Sequence, residues 1–147
     1  NIAIGQNAGK DDLIRSGNQH SALDRKTILV VEDISSNYLL ISAMLSKHYN
    51  LLHAVNGEQA VAMVKEYKID LLLMDMKMPV MDGLTATAEI RKFDTNIPIV
   101  ALTAHAFESD KVAALKSGCN DYLVKPVDKA RLMSVLRKYC HPSTLVL

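Results

Sequence analysis

Between Arg25 and Cys140, short apolar runs alternate with longer stretches whose apolar residues recur three or four positions apart. Residues 27–31 (Thr-Ile-Leu-Val-Val), 70–74, 97–102 and 121–124 are apolar on successive positions, the pattern of parallel strands covered by helices on both faces. Residues 51–55 are interrupted by His53, which suits an edge strand. The segments between carry i, i+3, i+4, i+7 spacing: Ile41, Met44, Leu45 and His48; Ala60, Met63, Val64 and Tyr67; Leu132, Val135, Leu136 and Tyr139. After Phe107 the next expected helix has only Val112 and Leu115 as large apolar residues, so it should be the least firmly docked. Asn56-Gly57 and Ser117-Gly118 supply turns, and Asp128 is placed to cap the last helix.

Five strands alternating with five helices predict an open α/β sheet with right-handed crossovers and helices on both faces. Residues 25–140 form this domain. Residues 1–24, rich in Gly, Asn, Gln and Ser, read as a linker or disordered tail, and residues 141–147 as a short exit tail.

Ligands of such sheets bind at the carboxyl ends of the strands. Here those ends carry charge: Glu32-Asp33 after the first strand, Asp75 after the third and Lys125-Pro126 after the fifth. If the three carboxylates approach within about 5 Å, each charged pair repels by roughly 3 kcal/mol at an effective dielectric near 20. A hard, oxygen-preferring divalent cation offsets that repulsion, and Mg2+ takes one or two carboxylates while leaving positions for phosphate oxygens. A carboxylate beside Mg2+ and a lysine is a nucleophile suited to phosphorus, giving an acyl phosphate. Thr103, at the end of the fourth strand, can donate its hydroxyl to one phosphate oxygen and Lys125 can pair with another.

Taken singly, these residues have plainer explanations. Glu32 and Asp33 favour a helix N-terminus, Thr103 suits a strand-end hydroxyl bonded to backbone, and Lys125 suits a solvated charge. One topology accounts for all the placements together.

Composition removes other classes. With 147 residues, 49% hydrophobic and 22% charged, the chain suits one domain with a sizeable core. Its net charge of +1 and scattered basic residues show no nucleic-acid footprint. No apolar stretch approaches the roughly 20 residues that span a bilayer, and the start lacks signal-peptide regions, so a cytoplasmic location without membrane contact is expected. Cys119 and Cys140 read as reduced structural thiols, the five histidines form no metal-binding pair, and the methionines, Met78 and Met81 included, read as packing.

The motifs Val30-Val-Glu-Asp33, Leu73-Met-Asp-Met-Lys-Met-Pro-Val-Met-Asp-Gly83, Leu102-Thr-Ala-His-Ala106 and Tyr122-Leu-Val-Lys-Pro126 resemble, in order and spacing, a response-regulator receiver domain of two-component signalling. The resemblance covers residues 25–140 and implies a flavodoxin-like (βα)5 sandwich with strand order 2-1-3-4-5. It implies that Asp75 accepts a phosphoryl group from a histidine kinase or histidine phosphotransfer protein. Glu32, Asp33, Asp75 and the Lys77 carbonyl would hold Mg2+, Lys125 would bind the phosphoryl group, and the Lys125–Pro126 peptide would be cis. Thr103 and Tyr122 resemble the family's switch pair, acting on the surface of helix four, strand five and helix five. About 5.5 kcal/mol of differential stabilisation carries such a switch from 1:99 to 99:1.

Lys77 and His105, each two residues beyond a site residue, are placed to tune acyl-phosphate lifetime, while Gly83 and Pro79 serve the loop backbone. Glu-Asp-Ile-Ser-Ser-Asn37 resembles receivers of hybrid sensor kinases, with the cytoplasmic part of a membrane-anchored kinase as one setting and residues 1–24 as its linker. The short exit tail is expected to leave no room for an output domain. Ile34 and Asn37 are candidate docking positions.

Competing classes are a phosphorylation-independent interaction module with the same fold, an aspartyl phosphatase and a nucleotide-binding enzyme. The intact acid, threonine and lysine set argues against the first. Lys77 stands where the phosphatase pattern has a second aspartate, and Glu-Asp-Ile-Ser-Ser is no Gly-rich phosphate loop. Whether auto-dephosphorylation makes the domain an enzyme is left open, as is its oligomeric state.

Overall fold

A computed structural model describes residues 25–142; the expected 1–24 linker and nearly all of the 141–147 tail lie outside them. The elements are β1 (Thr27–Val31), α1 (Ser35–Leu45), β2 (Asn50–Ala54), α2 (Gly57–Glu66), β3 (Leu71–Asp75), α3 (Gly83–Arg91), β4 (Ile99–Thr103), α4 (Glu108–Ser117), β5 (Asp121–Val124) and α5 (Lys129–Tyr139). All strand pairings are parallel, in the order β2-β1-β3-β4-β5.

Alternation along each strand divides the core in two. Leu29, Val31, Leu72, Met74, Ile99 and Ala101 face Ala60, Ala86, Ile90 and Ala114 of α2, α3 and α4. Ile28, Val30, Leu71, Leu73, Val100, Leu102 and Leu123 face Ile41, Leu45, Leu132 and Leu136 of α1 and α5. Every residue of β3 and β4 is buried, which is why these strands read as continuous apolar runs.

Several boundaries differ from the sequence reading. α1 stops at Leu45, so His48 lies in the following turn and Tyr49, 1% exposed, fills the core instead. β4 starts after Pro98, whose nitrogen has no hydrogen to give a ladder. Asn56-Gly57 is a helix start: Asn56 accepts from Gln59 N–H at 2.8 Å, and the Gln59 side chain accepts from Val55 N–H. Asp128 caps α5 by accepting from Arg131 N–H at 2.9 Å. The fourth helix buries only Ala114, while Val112 and Leu115 face solvent at 43% and 47% exposure.

The end of the sheet remote from the charged residues is tied down. Tyr49 donates its hydroxyl to the Cys140 carbonyl, and Arg91 donates to the Gly118 and Asp94 carbonyls and to Asn120 Oδ1. Gly118 ends α4 at φ 118°, where a Cβ would stand 2.7 Å from Arg91 Cγ. Gly118→Ala therefore meets backbone strain and displaces the arginine. It is expected to cost about 2 kcal/mol, read as a lower urea midpoint with an unchanged denaturant slope.

Candidate functional site

Strand alternation also decides where the charged residues point. Glu32 continues the Ile28, Val30 series, Asp75 the Leu71, Leu73 series and Lys125 follows Leu123, so all three fall on the α1/α5 side of the carboxyl edge. The Glu32, Asp33 and Asp75 carboxylates each place an oxygen within 4.8 Å of the others. Lys125 Nζ bridges two of them, 3.1 Å from Glu32 Oε1 and 3.1 Å from Asp75 Oδ2. The Lys125–Pro126 peptide that delivers this lysine is cis.

The acids differ in their surroundings. Glu32 is fully buried: Lys125 occupies one oxygen, and the other is approached by Ile34 N–H and the Asn37 amide, both at 3.4 Å. Asp33 is exposed. Asp75 is 4% exposed, and its second oxygen accepts from Lys77 N–H at 3.2 Å. Burial and then the Glu32 charge push the Asp75 carboxyl up to about 6, against the opposing pull of Lys125 and the Lys77 N–H. Burial draws the Lys125 ammonium down, but the bonds and charges of Glu32 and Asp75 together outweigh it and leave it above its ordinary value.

The loop after Asp75 is built to bring α3 close. Gly83 N–H bonds to the Met76 carbonyl, and a Cβ on Gly83 would collide with the Asp75 carbonyl and with Met76. Val80, 76% exposed, sits at φ 71° within a Met81 N–H to Pro79 carbonyl bond of 2.8 Å, a tight turn that a β-branched residue occupies only under strain. Asp82 caps α3 by accepting from Thr85 N–H.

Thr103 and Tyr122 lie on the opposite face from Asp75. The Thr103 hydroxyl donates to the His105 carbonyl at 2.6 Å, so it is engaged with its own loop. The Tyr122 ring packs on the α2/α3/α4 core, with Lys111 Nζ 4.9 Å from its centroid. The exposed His105 ring stacks on Phe107, and the Lys77 side chain is also exposed. A groove of about 330 Å³ opens between this loop and α3/α4, lined by Met76, Lys77, Thr103 and His105 among others; the three acids do not line it.

Two residues near the acids have contacts with Glu32 that the sequence reading did not include. The Asn37 amide, named above only as a docking candidate, also approaches Glu32 at 3.4 Å, and His53, read only as a strand interruption, approaches the Glu32 carbonyl. The one available signal was a polar residue on an otherwise apolar strand face.

A doubly wound sheet with an acid cluster and a lysine at its carboxyl edge defines a site for oxyanions and hard cations. The chain belongs to the response regulator receiver domain family, matched over residues 28–137. It is 41% identical over 119 residues to hybrid signal transduction histidine kinase M of Dictyostelium discoideum, covering 76% of this chain and 5% of that protein. Transcription regulators match at 38–41% identity as well.

Among solved structures, the receiver domain of sensor histidine kinase PA1611 from Pseudomonas aeruginosa, with magnesium in its active-site cleft, aligns with TM-score 0.73 and 40% identity. That alignment covers 78% of this chain and 96% of the other. The Saccharomyces cerevisiae receiver of Ssk1, crystallised with the phosphotransfer protein Ypd1, aligns with TM-score 0.76 and 34% identity over 84% and 94%. The chain spans only a small part of the curated relatives' length, between 5% and 26%.

The raised Asp75 carboxyl sets a pH dependence for the metal-free protein. Because its native value, about 6, exceeds the ordinary 3.8, the native state holds a proton that the unfolded chain releases between those values. Its contribution to stability therefore falls as pH rises through that window and levels off above it. In EDTA, Asp75→Asn is expected to be more stable than wild type at pH 7.5 by on the order of 2 kcal/mol. The difference should shrink toward pH 4 in urea unfolding.

Proposed function

We propose that this domain is a phosphoacceptor in which Asp75 takes a phosphoryl group from a phosphohistidine of a histidine kinase or histidine phosphotransfer protein. The observation that carries the reading is the convergence of Glu32, Asp33 and Asp75 within 4.8 Å, with Lys125 Nζ bridging Glu32 and Asp75. An Asp75 oxygen forms the new O–P bond as the P–N bond to the donor imidazole breaks, and the imidazole leaves with the electron pair and takes up a proton. Lys125 exchanges its carboxylate contact for a phosphoryl oxygen.

The oxygen-only donor set fits Mg2+. Asp33, Asp75 and the Lys77 carbonyl would hold it directly. Glu32, whose oxygens already have protein partners, would act through water. When bound, the cation neutralises the carboxylates and the transferring phosphoryl oxygens.

Once phosphate is present, the Thr103 hydroxyl has a second, anionic acceptor competing with the His105 carbonyl. Its movement would draw the β4–α4 loop and let Tyr122 turn inward, altering the surface of α4, β5 and α5. Lys77 and His105, both exposed beside the site, would tune access of attacking water to the acyl phosphate.

The setting proposed is a hybrid sensor kinase in the cytoplasm, with residues 1–24 as linker, 25–140 as the receiver and 141–147 as a tail. The likeness to kinase-borne receivers supports it. Among the described residues no helix is long and apolar enough to cross a membrane. α1 contains no charged residue and exposes Leu39 and Leu40, with Ile34 beside them, which suits an apolar helical face of the phosphotransfer partner.

Incubation with acetyl phosphate and Mg2+ is expected to add one phosphoryl group, seen by intact mass, and none in Asp75→Asn. A wild type that stays unlabelled, or a labelled Asp75→Asn, contradicts the reading and favours a phosphorylation-independent module. Leu39→Glu is expected to slow transfer from a histidine phosphotransfer protein by about tenfold or more, the loss of roughly one buried apolar anchor. Acetyl phosphate labelling of the same variant should proceed at the wild-type rate.

A further inference from the structure

The loop that joins β1 to α1 has to present Asp33 without the usual means of fixing a helix start. α2, α3 and α5 are capped by Asn56, Asp82 and Asp128, whereas the N-cap of α1 is Ile34, which makes no side-chain cap bond, and the first turn holds no acid. Something other than a cap must define the loop.

Glu32 is the residue that is held. Its N–H bonds to the Ala54 carbonyl at 3.0 Å, extending the β1–β2 pairing one step past the strand. Its carbonyl is met by His53 Nε2 at 2.8 Å. A carbonyl only accepts, so that ring nitrogen carries a hydrogen, which of the two neutral tautomers selects the Nε2–H form. The His53 ring lies flat against Tyr38 of α1, with centroids 3.9 Å apart and planes 6° from parallel. β1 pairs Val30 with His53, and Tyr38 packs on the α1/α5 core, so the ring sits between the sheet edge and the first turn of α1.

The position of that bond gives it leverage. The Glu32 carbonyl belongs to the peptide plane joining Glu32 to Asp33, so fixing its direction fixes the orientation in which Asp33 leaves the sheet. Asp33 is exposed and has no burial of its own to orient it.

We propose that His53, clamped by Tyr38, is a positioning residue for the metal-binding acids: it never touches the cation but sets the Glu32–Asp33 peptide so that the Asp33 and Asp75 carboxylates share one ion. The inference rests on the phosphoacceptor reading above. Groups hydrogen-bonded to metal ligands typically change affinity by about tenfold to a hundredfold when lost, and His53, acting through the Glu32–Asp33 peptide, falls at the low end.

The test is a Mg2+ titration of 15N-labelled protein, following the Asp33 and Lys77 amides, with urea unfolding in EDTA as the measure of the fold. His53→Phe keeps a ring against Tyr38 but cannot donate, and His53→Gln donates but cannot stack. Mg2+ affinity is expected to fall about tenfold in His53→Phe and to stay within about threefold of wild type in His53→Gln.

Unchanged affinity in His53→Phe, or equal loss in both variants, overturns the inference while leaving the phosphoacceptor reading in place. A wild type that takes up no Mg2+ overturns both. The imidazole 15N spectrum of the metal-free wild type gives a readout independent of any substitution. The Nε2–H form of His53 is expected, and an Nδ1–H form overturns the proposal.

Discussion

Lys125 Nζ, 3.1 Å from Glu32 and from Asp75, is the contact on which the charged edge of the sheet depends. It crosses from edge strand β5 to β1 and β3, over the end of β4, and joins elements that the backbone ladder connects only through intermediaries. Two carboxylates buried at 0% and 4% exposure repel one another, and their desolvation adds to the cost. The Lys125 ammonium offsets part of that cost. The remaining strain shows in Asp75, whose carboxyl ionises well above the usual range. A site in this condition favours whatever brings more positive charge, which is why the same geometry suits a hard cation.

The two ends of the molecule differ in kind. At the base, Arg91 gathers three carbonyl-type oxygens from the ends of α3 and α4, and Tyr49 ties β2 to the end of α5. At the top, loops carry the acids, the strained Val80 turn and the Thr103–His105 bond. α4 spans both regimes. Its carboxyl end is gripped through Gly118, whereas Phe107 at its other end makes no side-chain cap and is 63% exposed. With a single buried side chain, the helix has little apolar contact to hold it. Displacement beginning at Thr103 therefore meets least resistance at the near end of α4.

Most of the architecture was legible because parallel strands buried on both faces announce themselves as apolar runs, and the convergence of Glu32, Asp33, Asp75 and Lys125 followed from their places at strand carboxyl ends. What escaped was set by contacts and loop geometry that periodicity does not register, near in sequence as well as distant. Tyr49 replaces His48 in the core because the chain leaves the helix one turn early to reach β2, which periodicity alone does not register. Asn37, read as a docking candidate, also has its amide 3.4 Å from Glu32 in the fold, and His53 looked like a defect in a strand until the β1–β2 register set it beside the Glu32 carbonyl. Thr103 was placed at the right strand end, but its bond to the His105 carbonyl depends on a loop conformation that spacing does not encode.

The same alternation that built the core separates the residues of the two proposed roles. Glu32, Asp75 and Lys125 share the face of α1 and α5, while Thr103 and Tyr122 share that of α2, α3 and α4. Charge therefore accumulates on one side of the sheet edge, and the proposed sensing pair lies on the other. The loop that Thr103 begins runs over the strand tips between them. A hydroxyl has one hydrogen to donate, so a bond to phosphate and the bond to the His105 carbonyl exclude one another. On the phosphoacceptor reading, that exclusion, worth on the order of 1 kcal/mol per neutral bond and more toward an anion, would give the loop a choice between two arrangements.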